Sequence, residues 1–260
     1  MIYNYHTHTT RCHHAVDSDE EYIERAIEAG IKYLGFSDHA PFVFPDGHEA
    51  FYCVEEKDCY EYIETIHALG EKYKDKIHIC AGYEMEYYPE HFEAMLDLAR
   101  KSGADYLILG QHCITHEYPK GRGSRGYTED ADVLSEYVDN VVDALNTGVF
   151  SYVAHPDIVN FGGDEEAYYR EATRLCKASK EHNIPLEINL HGLTNRRHYP
   201  SDRFFAIAGE VGAPVTFGFD AHDSAALLNK DVVNEAAEMV KRHKLNYIGM
   251  PKLIPIGKSK

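Results

Sequence analysis

Short apolar runs rich in Val, Ile, Tyr and Phe alternate along the chain with stretches whose apolar residues recur at helical spacing. The runs predict strands near residues 2–8, 33–38, 77–86, 106–113, 151–155, 185–190 and 214–220. The amphipathic stretches predict helices near 18–30, 58–74, 89–102, 130–147, 164–182, 202–211 and 227–243. Terminal signals agree with these bounds. Ser18 followed three residues later by Glu21 is a capping-box pair. Gly30, Gly103, Gly148 and Gly212 each follow a helical stretch, where C-terminal caps fall. Pro89 suits the first turn of the third helix.

Seven strand–helix units in strict alternation predict a parallel sheet with helical crossovers. Seven or eight such units suit a closed α/β barrel. An open doubly wound sheet is the competing topology, and no G-x-G-x-x-G follows the first strand to favour it. Neither a linker nor an internal repeat divides the chain, so residues 1–260 are expected to form one domain. The longest irregular stretches, about 40–57 and 115–129, are expected as loops over one mouth of the barrel.

Charge and cysteine usage narrow the setting. The formal net charge is −17, which repels polyanions and argues against nucleic-acid partners. The six cysteines are scattered without a C-x-x-C pair, so a reduced, cytoplasmic protein is expected. No segment has the roughly 20 apolar residues of a membrane span. The oligomeric state is left open.

The chain holds 17 histidines, and their placement matters more than their number. His6 and His8 end strand one, two apart and therefore on one face of an extended chain. Asp38 and His39 end strand two, and Glu84 and Glu86 end strand three. His112 and His155 end strands four and five. Glu187 and Asn189 lie in strand six, followed by His191, and Asp220 and His222 end strand seven. Each motif alone is weak, because a lone histidine is more often a satisfied core or surface group. Together they deliver imidazoles and carboxylates to the end of the barrel where active sites form, and these are donors for Zn, Mn or Fe. His116 and His198 are expected near the mouth, and His48, His67, His78, His91, His182 and His243 on the surface.

The ordered motifs H-T-H-T, S-D-H-A-P, G-Y-E-M-E-Y, G-Q-H-C, A-H-P-D and D-A-H resemble the PHP (polymerase and histidinol phosphatase) family, most closely its histidinol-phosphatase branch. The resemblance spans residues 4 to about 223. It implies a distorted (β/α)7 barrel with three divalent metal ions. By the same resemblance His6, His8, Glu84 and Asp220 would hold one ion. Glu84 would bridge to a second held by His112 and His155. His14, His39 and His222 would hold the third, with His13 as the neighbour of His14. Glu84 and Asp220 would thus be central to catalysis. The chain reads E-M-E-Y where relatives often have E-V-D-Y, and E-I-N-L-H-G-L where they often have E-I-N-T-S-G-L. Both departures fall near the substrate pocket.

The implied activity is hydrolysis of a small phosphate monoester, L-histidinol phosphate, by water activated between the cations. Arg196 or Arg197 would clamp the phosphate, with Arg122 and Arg125 as rivals. Solvent-exposed loop charge is the plainer reading of each arginine. Asp17 and His191 are candidate proton donors to the leaving group. Glu86 and Asp157 are candidates to receive the cationic part of the substrate. Two alternatives stand beside this one: a phosphoesterase of the same barrel acting on nucleotides or short oligonucleotides, and a binuclear amidohydrolase-like metallohydrolase.

Overall fold

The computed structural model describes residues 1–44, 47–48, 50–115 and 121–257; His116 lies outside them. Among the described residues ten strands occur in chain order: β1 (Tyr3–Asn4), β2 (Tyr33–His39), β3 (His78–Met85), β4 (Tyr106–Leu109), β5 (Cys113–Thr115), β6 (Arg122–Gly123), β7 (Phe150–Val153), β8 (Leu186–Asn189), β9 (Pro214–Gly218) and β10 (Asn246–Tyr247). The α-helices are α1 (Asp19–Ala29), α2 (Cys59–Tyr73), α3 (Phe92–Ser102), α4 (Ala131–Asn146), α5 (Glu165–His182), α6 (Leu190–Thr194), α7 (Asp202–Val211) and α8 (Lys230–Arg242).

Eight strands form one parallel sheet in the order β1-β2-β3-β4-β7-β8-β9-β10. The sheet curls until the backbone beyond β1 meets the backbone beyond β9 in a parallel bridge, Thr7 with Ala221. His8 N donates to Ala221 O at 2.9 Å and Ala221 N to His6 O at 3.2 Å. The first seven strands of this sheet are the expected ones. The eighth, β10, was not foreseen; two residues carry no periodicity, and it pairs only with Pro214 and Val215 at the start of β9.

Helix bounds follow local chemistry. Ser18 caps α1 with the full reciprocal bond pair to Glu21, as the sequence suggests. The third helix begins later than Pro89 would indicate. Residues 89–91 form a turn closed by His91 N donating to Tyr88 O, and α3 starts at Phe92. The short α6 lies inside a stretch read as loop. Asn189 caps it by accepting from Gly192 N.

Alternate residues of the strands separate two cores. Leu107 and Leu109 of β4 join the large cluster between sheet and helices, whereas Tyr106 and Ile108 face a smaller cluster with Tyr3, Tyr5, Cys80, Tyr152 and Ala154. That tyrosine-rich cluster fills the barrel interior on the side where the strands begin. The polar groups stand above it, at the strand ends. Among the glycines that leave no room for a Cβ, Gly110 and Gly218 border the polar layer. A Cβ at Gly110 would come 1.9 Å from Glu84 Oε1, and one at Gly218 would come 1.8 Å from Glu187 Oε1.

All six cysteines are buried and form no disulfide. Among the described residues no helix is long and apolar enough to cross a membrane.

Candidate metal centre

Glu84, at the end of β3, stands at the middle of the polar layer and is 2% exposed. Its Oε2 faces His6 Nε2 and His8 Nε2, both at 3.5 Å, and His39 Nδ1 at 3.1 Å. Its Oε1 faces His155 Nε2 at 2.8 Å and His112 Nε2 at 3.6 Å. One carboxylate therefore touches five histidines from four segments. Asp220 closes the other side, with Oδ1 3.2 Å from His8 Nε2 and 3.6 Å from His6 Nε2. Both His155 and Asp220 have positive φ, 30° and 50°. Such backbone costs about 1–3 kcal/mol per residue and persists where a site requires it.

His14 and His222 complete the outer edge of the cluster. His14 follows a one-turn 3-10 helix, Thr10–Cys12, and its Nδ1 lies 2.6 Å from Cys12 O. The Nδ1 of His222 lies 3.0 Å from Asp220 O. His13 ends the same turn in left-handed backbone, and it is His14 that lines the cavity above the cluster.

Burial and mutual charge shape the titration of the cluster. Burial pushes Glu84 up, but His112, His6 and His39 outweigh it and hold the carboxyl well below its ordinary range. Asp220 behaves alike through His6, His8 and His222. Burial lowers His6, yet Glu187, Asp220 and Glu84 raise it to about 10. For His112 and His39 burial dominates and keeps the rings neutral.

The donor set fits divalent cations. His6 Nε2, both nitrogens of His8, Glu84 Oε2, His112 Nδ1 and His155 Nδ1 are buried with no hydrogen-bond partner among the described residues. Leaving so many polar atoms unpaired in one place is costly unless something binds them. Five overlapping trios have donor atoms close enough to share an ion: His8–His39–His222, His6–His155–Asp220, His6–His8–Glu84, His39–Glu84–His112 and His8–Cys12–Asp38. Neutral imidazole and carboxylate are donors for zinc, manganese and iron.

Above the cluster opens a cavity of about 600 Å³. Its walls include Phe51 and Tyr52 on one flank, and Arg125, Arg197, His191 and Tyr199 elsewhere. The two loops expected over the mouth supply Phe51, Tyr52, Arg125 and Gly126, part of the second being built on the antiparallel pair β5–β6.

The structure separates the sequence-predicted arginines. Arg125 and Arg197 line the cavity. Arg197 Nη1 donates to Tyr199 Oη at 2.7 Å and Nη2 to His191 Nε2 at 2.9 Å. Arg196, one residue earlier and with φ 51°, turns outward to an ion pair with Glu235. Arg122 is exposed in β6 and does not line the cavity.

The candidate proton donors and acidic substrate contacts take other roles. Asp17 accepts from Ser224 N at 2.8 Å, which holds its carboxyl below the usual range; it anchors the segment after the D-A-H motif and is absent from the cavity wall. His191 lines the cavity; burial lowers its pKa, and its Nε2 accepts from Arg197 and so carries no proton in this arrangement. Glu86 is buried behind His112, with Nδ1 of that ring 3.3 Å from Oε1. Its oxygens accept from Tyr52 Oη, Tyr88 Oη and Cys113 N, and it is absent from the cavity wall. Asp157 is buried and accepts from Ser201 N at 2.6 Å. His198 meets Ile158 O and lies outside the cavity wall.

Two carboxylates without a catalytic role in the sequence reading prove close to the cluster. Asp38 accepts from Thr9 N at 3.1 Å, Thr9 Oγ1 and His39 N, and lies 3.5 Å from His8 Nδ1. Glu187 meets His6. Both face histidines two residues apart in one motif, which was the available signal.

A parallel α/β barrel carrying a histidine–carboxylate cluster at its strand ends defines a metal-dependent enzyme class. The PHP domain profile matches residues 4–191, and the chain belongs to that family. A probable histidinol-phosphatase of Deinococcus radiodurans is 25% identical, over 84% of this chain and 85% of that protein. The histidinol-phosphatase of Bacillus subtilis is also 25% identical, over 84% of this chain and 92% of its own length. The crystal structure of histidinol phosphate phosphatase from Lactococcus lactis, complexed with zinc, L-histidinol and phosphate, shares the fold. Its TM-score is 0.74 at 18% identity, covering 99% of this chain and 98% of that one.

Proposed function

We propose that this chain is a metal-dependent phosphatase that hydrolyses L-histidinol phosphate to L-histidinol and phosphate. The observation that carries the reading is Glu84, one carboxylate set between His6, His8 and His39 on one oxygen and His112 and His155 on the other. A carboxylate so placed suits a bridge between cations. In this reading His6, His8, Glu84 and Asp220 hold one ion. Glu84, His112 and His155 hold a second, and His14, His39 and His222 a third. The names of the relatives supply the substrate. A small soluble ester and six cysteines that form no disulfide suit a cytoplasmic enzyme.

When bound, the cations lower the pKa of water and neutralise charge on the phosphoryl oxygens. The rest falls to the chain. Arg197 offers its guanidinium to the phosphate, oriented by Tyr199 and His191. Arg125 binds from the opposing loop. Phe51 and Tyr52 present aromatic faces to the imidazole end of the substrate.

The test is chelation followed by restoration. Phosphate release from histidinol phosphate should vanish when metal is removed and return with Mn, Zn or Fe. Nucleoside monophosphates and short oligonucleotides assayed in parallel address the alternative substrates. Unchanged turnover after verified metal removal would sink the mechanism.

A further inference from the structure

We infer that Glu187, together with Asn189, is the positioning residue of the metal centre, holding His6 in the tautomer that can ligate and tying three other site segments to β8. The inference rests on the cluster being a metal centre.

Glu187 is wholly buried, and each of its oxygens is used. Oε1 lies 2.8 Å from His6 Nδ1. Oε2 accepts from His155 N at 3.0 Å and from Asn189 Nδ2 at 2.9 Å. The same Asn189 Nδ2 donates to Asp220 Oδ2 at 3.2 Å, while its Oδ1 accepts from Gly192 N at 2.8 Å. The pair thus reaches β1 through His6, the end of β7 through His155, the end of β9 through Asp220, and α6, which carries His191.

Chemistry gives the contact with His6 a direction. An ionised carboxylate only accepts, so it requires the imidazole proton on Nδ1. Nε2 is then the ligating nitrogen, and it faces Glu84 and Asp220 at 3.5 and 3.6 Å from their oxygens. Carboxylates behind ligating histidines fix the ring and raise its basicity. Glu187 is in none of the trios whose donor atoms could share an ion. Its placement is also specific, because Gly218 leaves the space its Oε1 fills.

Glu187→Gln is isosteric and discriminates. A glutamine that merely fills the core should leave the site unchanged. A glutamine in the hub must point an amide NH₂ either at His6 Nδ1, forcing the wrong tautomer, or at the N–H groups of His155 and Asn189. Metal-free protein should be titrated with Mn²⁺ and Zn²⁺ against a chromogenic chelator, and with Co²⁺ read by visible absorption. The expected result is affinity weakened roughly 10- to 100-fold, an altered Co²⁺ spectrum, and kcat that recovers at high Mn²⁺ with KM unchanged. Parental affinity with a parental Co²⁺ spectrum would overturn the inference. If Glu187→Gln fails to fold, Asn189→Ala decides: it removes the donor shared by Glu187 and Asp220. It should weaken Mn²⁺ binding about 10-fold, and parental affinity there overturns the inference equally. Failure of the parent chain to bind metal would instead refute the reading on which this rests.

Discussion

The Nε2 atoms of His14 and His222 lie 3.0 Å apart, while each ring turns its Nδ1 toward a backbone carbonyl. With both Nδ1 atoms donating, two lone pairs face one another, an arrangement that a shared cation stabilises. Replacing His14 by Ala should therefore lower the metal-to-protein ratio below that of the parent, by about one ion per chain. Elemental analysis of the purified variant checks this, and an unchanged ratio would remove His14 from the ligand set.

Glu84→Gln should cost at least about 100-fold in phosphate release and reduce metal content. The amide keeps the shape but loses the charge that Oε1 and Oε2 present to five histidines. Near-parental rates at full occupancy would contradict a bridging role.

Arg197→Lys should weaken substrate binding about 10-fold or more, because an ammonium cannot hold Tyr199, His191 and a phosphate as a guanidinium does. Arg196→Lys should leave kinetics near parental, since that side chain pairs with Glu235 outside the cavity. Steady-state KM values for the two variants separate neighbouring residues of opposite direction.

Asp157 gives a stability signature. Burial raises its pKa from 3.8 to about 6. Between those values the folded protein holds more protons than the unfolded chain, so this group's contribution is full below pH 3.8 and declines as pH rises through 6. Asp157→Asn removes the dependence. Its stability relative to the parent should climb between about pH 4 and pH 6, by roughly 2–3 kcal/mol, and level off above. Paired denaturant titrations of metal-free proteins across that range measure the difference, and a flat difference would contradict the raised pKa.

The positions of the histidine–carboxylate cluster were readable because a strand end is a local feature. His6, His8, Glu84 and Asp220 announce themselves by residue type at a period-two position beside a turn. What surrounds them was not readable, because the partners come from distant segments. Glu187 meets His6 across 181 positions, and the tyrosines that occupy Glu86 come from a loop and from beyond β3. Direction was hidden too. Nothing in the pair Arg196–Arg197 says which faces the cavity; the positive φ at Arg196 does. Likewise β10 is too short to show a pattern, and its place beside β9 depends on the packing of α8 before it.

Gly110 and Gly218 act as a register lock on inheritance. A single added methyl at either would press on Glu84 or Glu187, so the barrel cannot drift one residue along these strands and keep its cluster. Variation toward other phosphate esters is thereby channelled into the rim, at Phe51, Tyr52, Cys113 and Arg125, none of which supplies a donor atom to the cluster. A library confined to those four positions should retain metal content across most of its members while its substrate profile spreads.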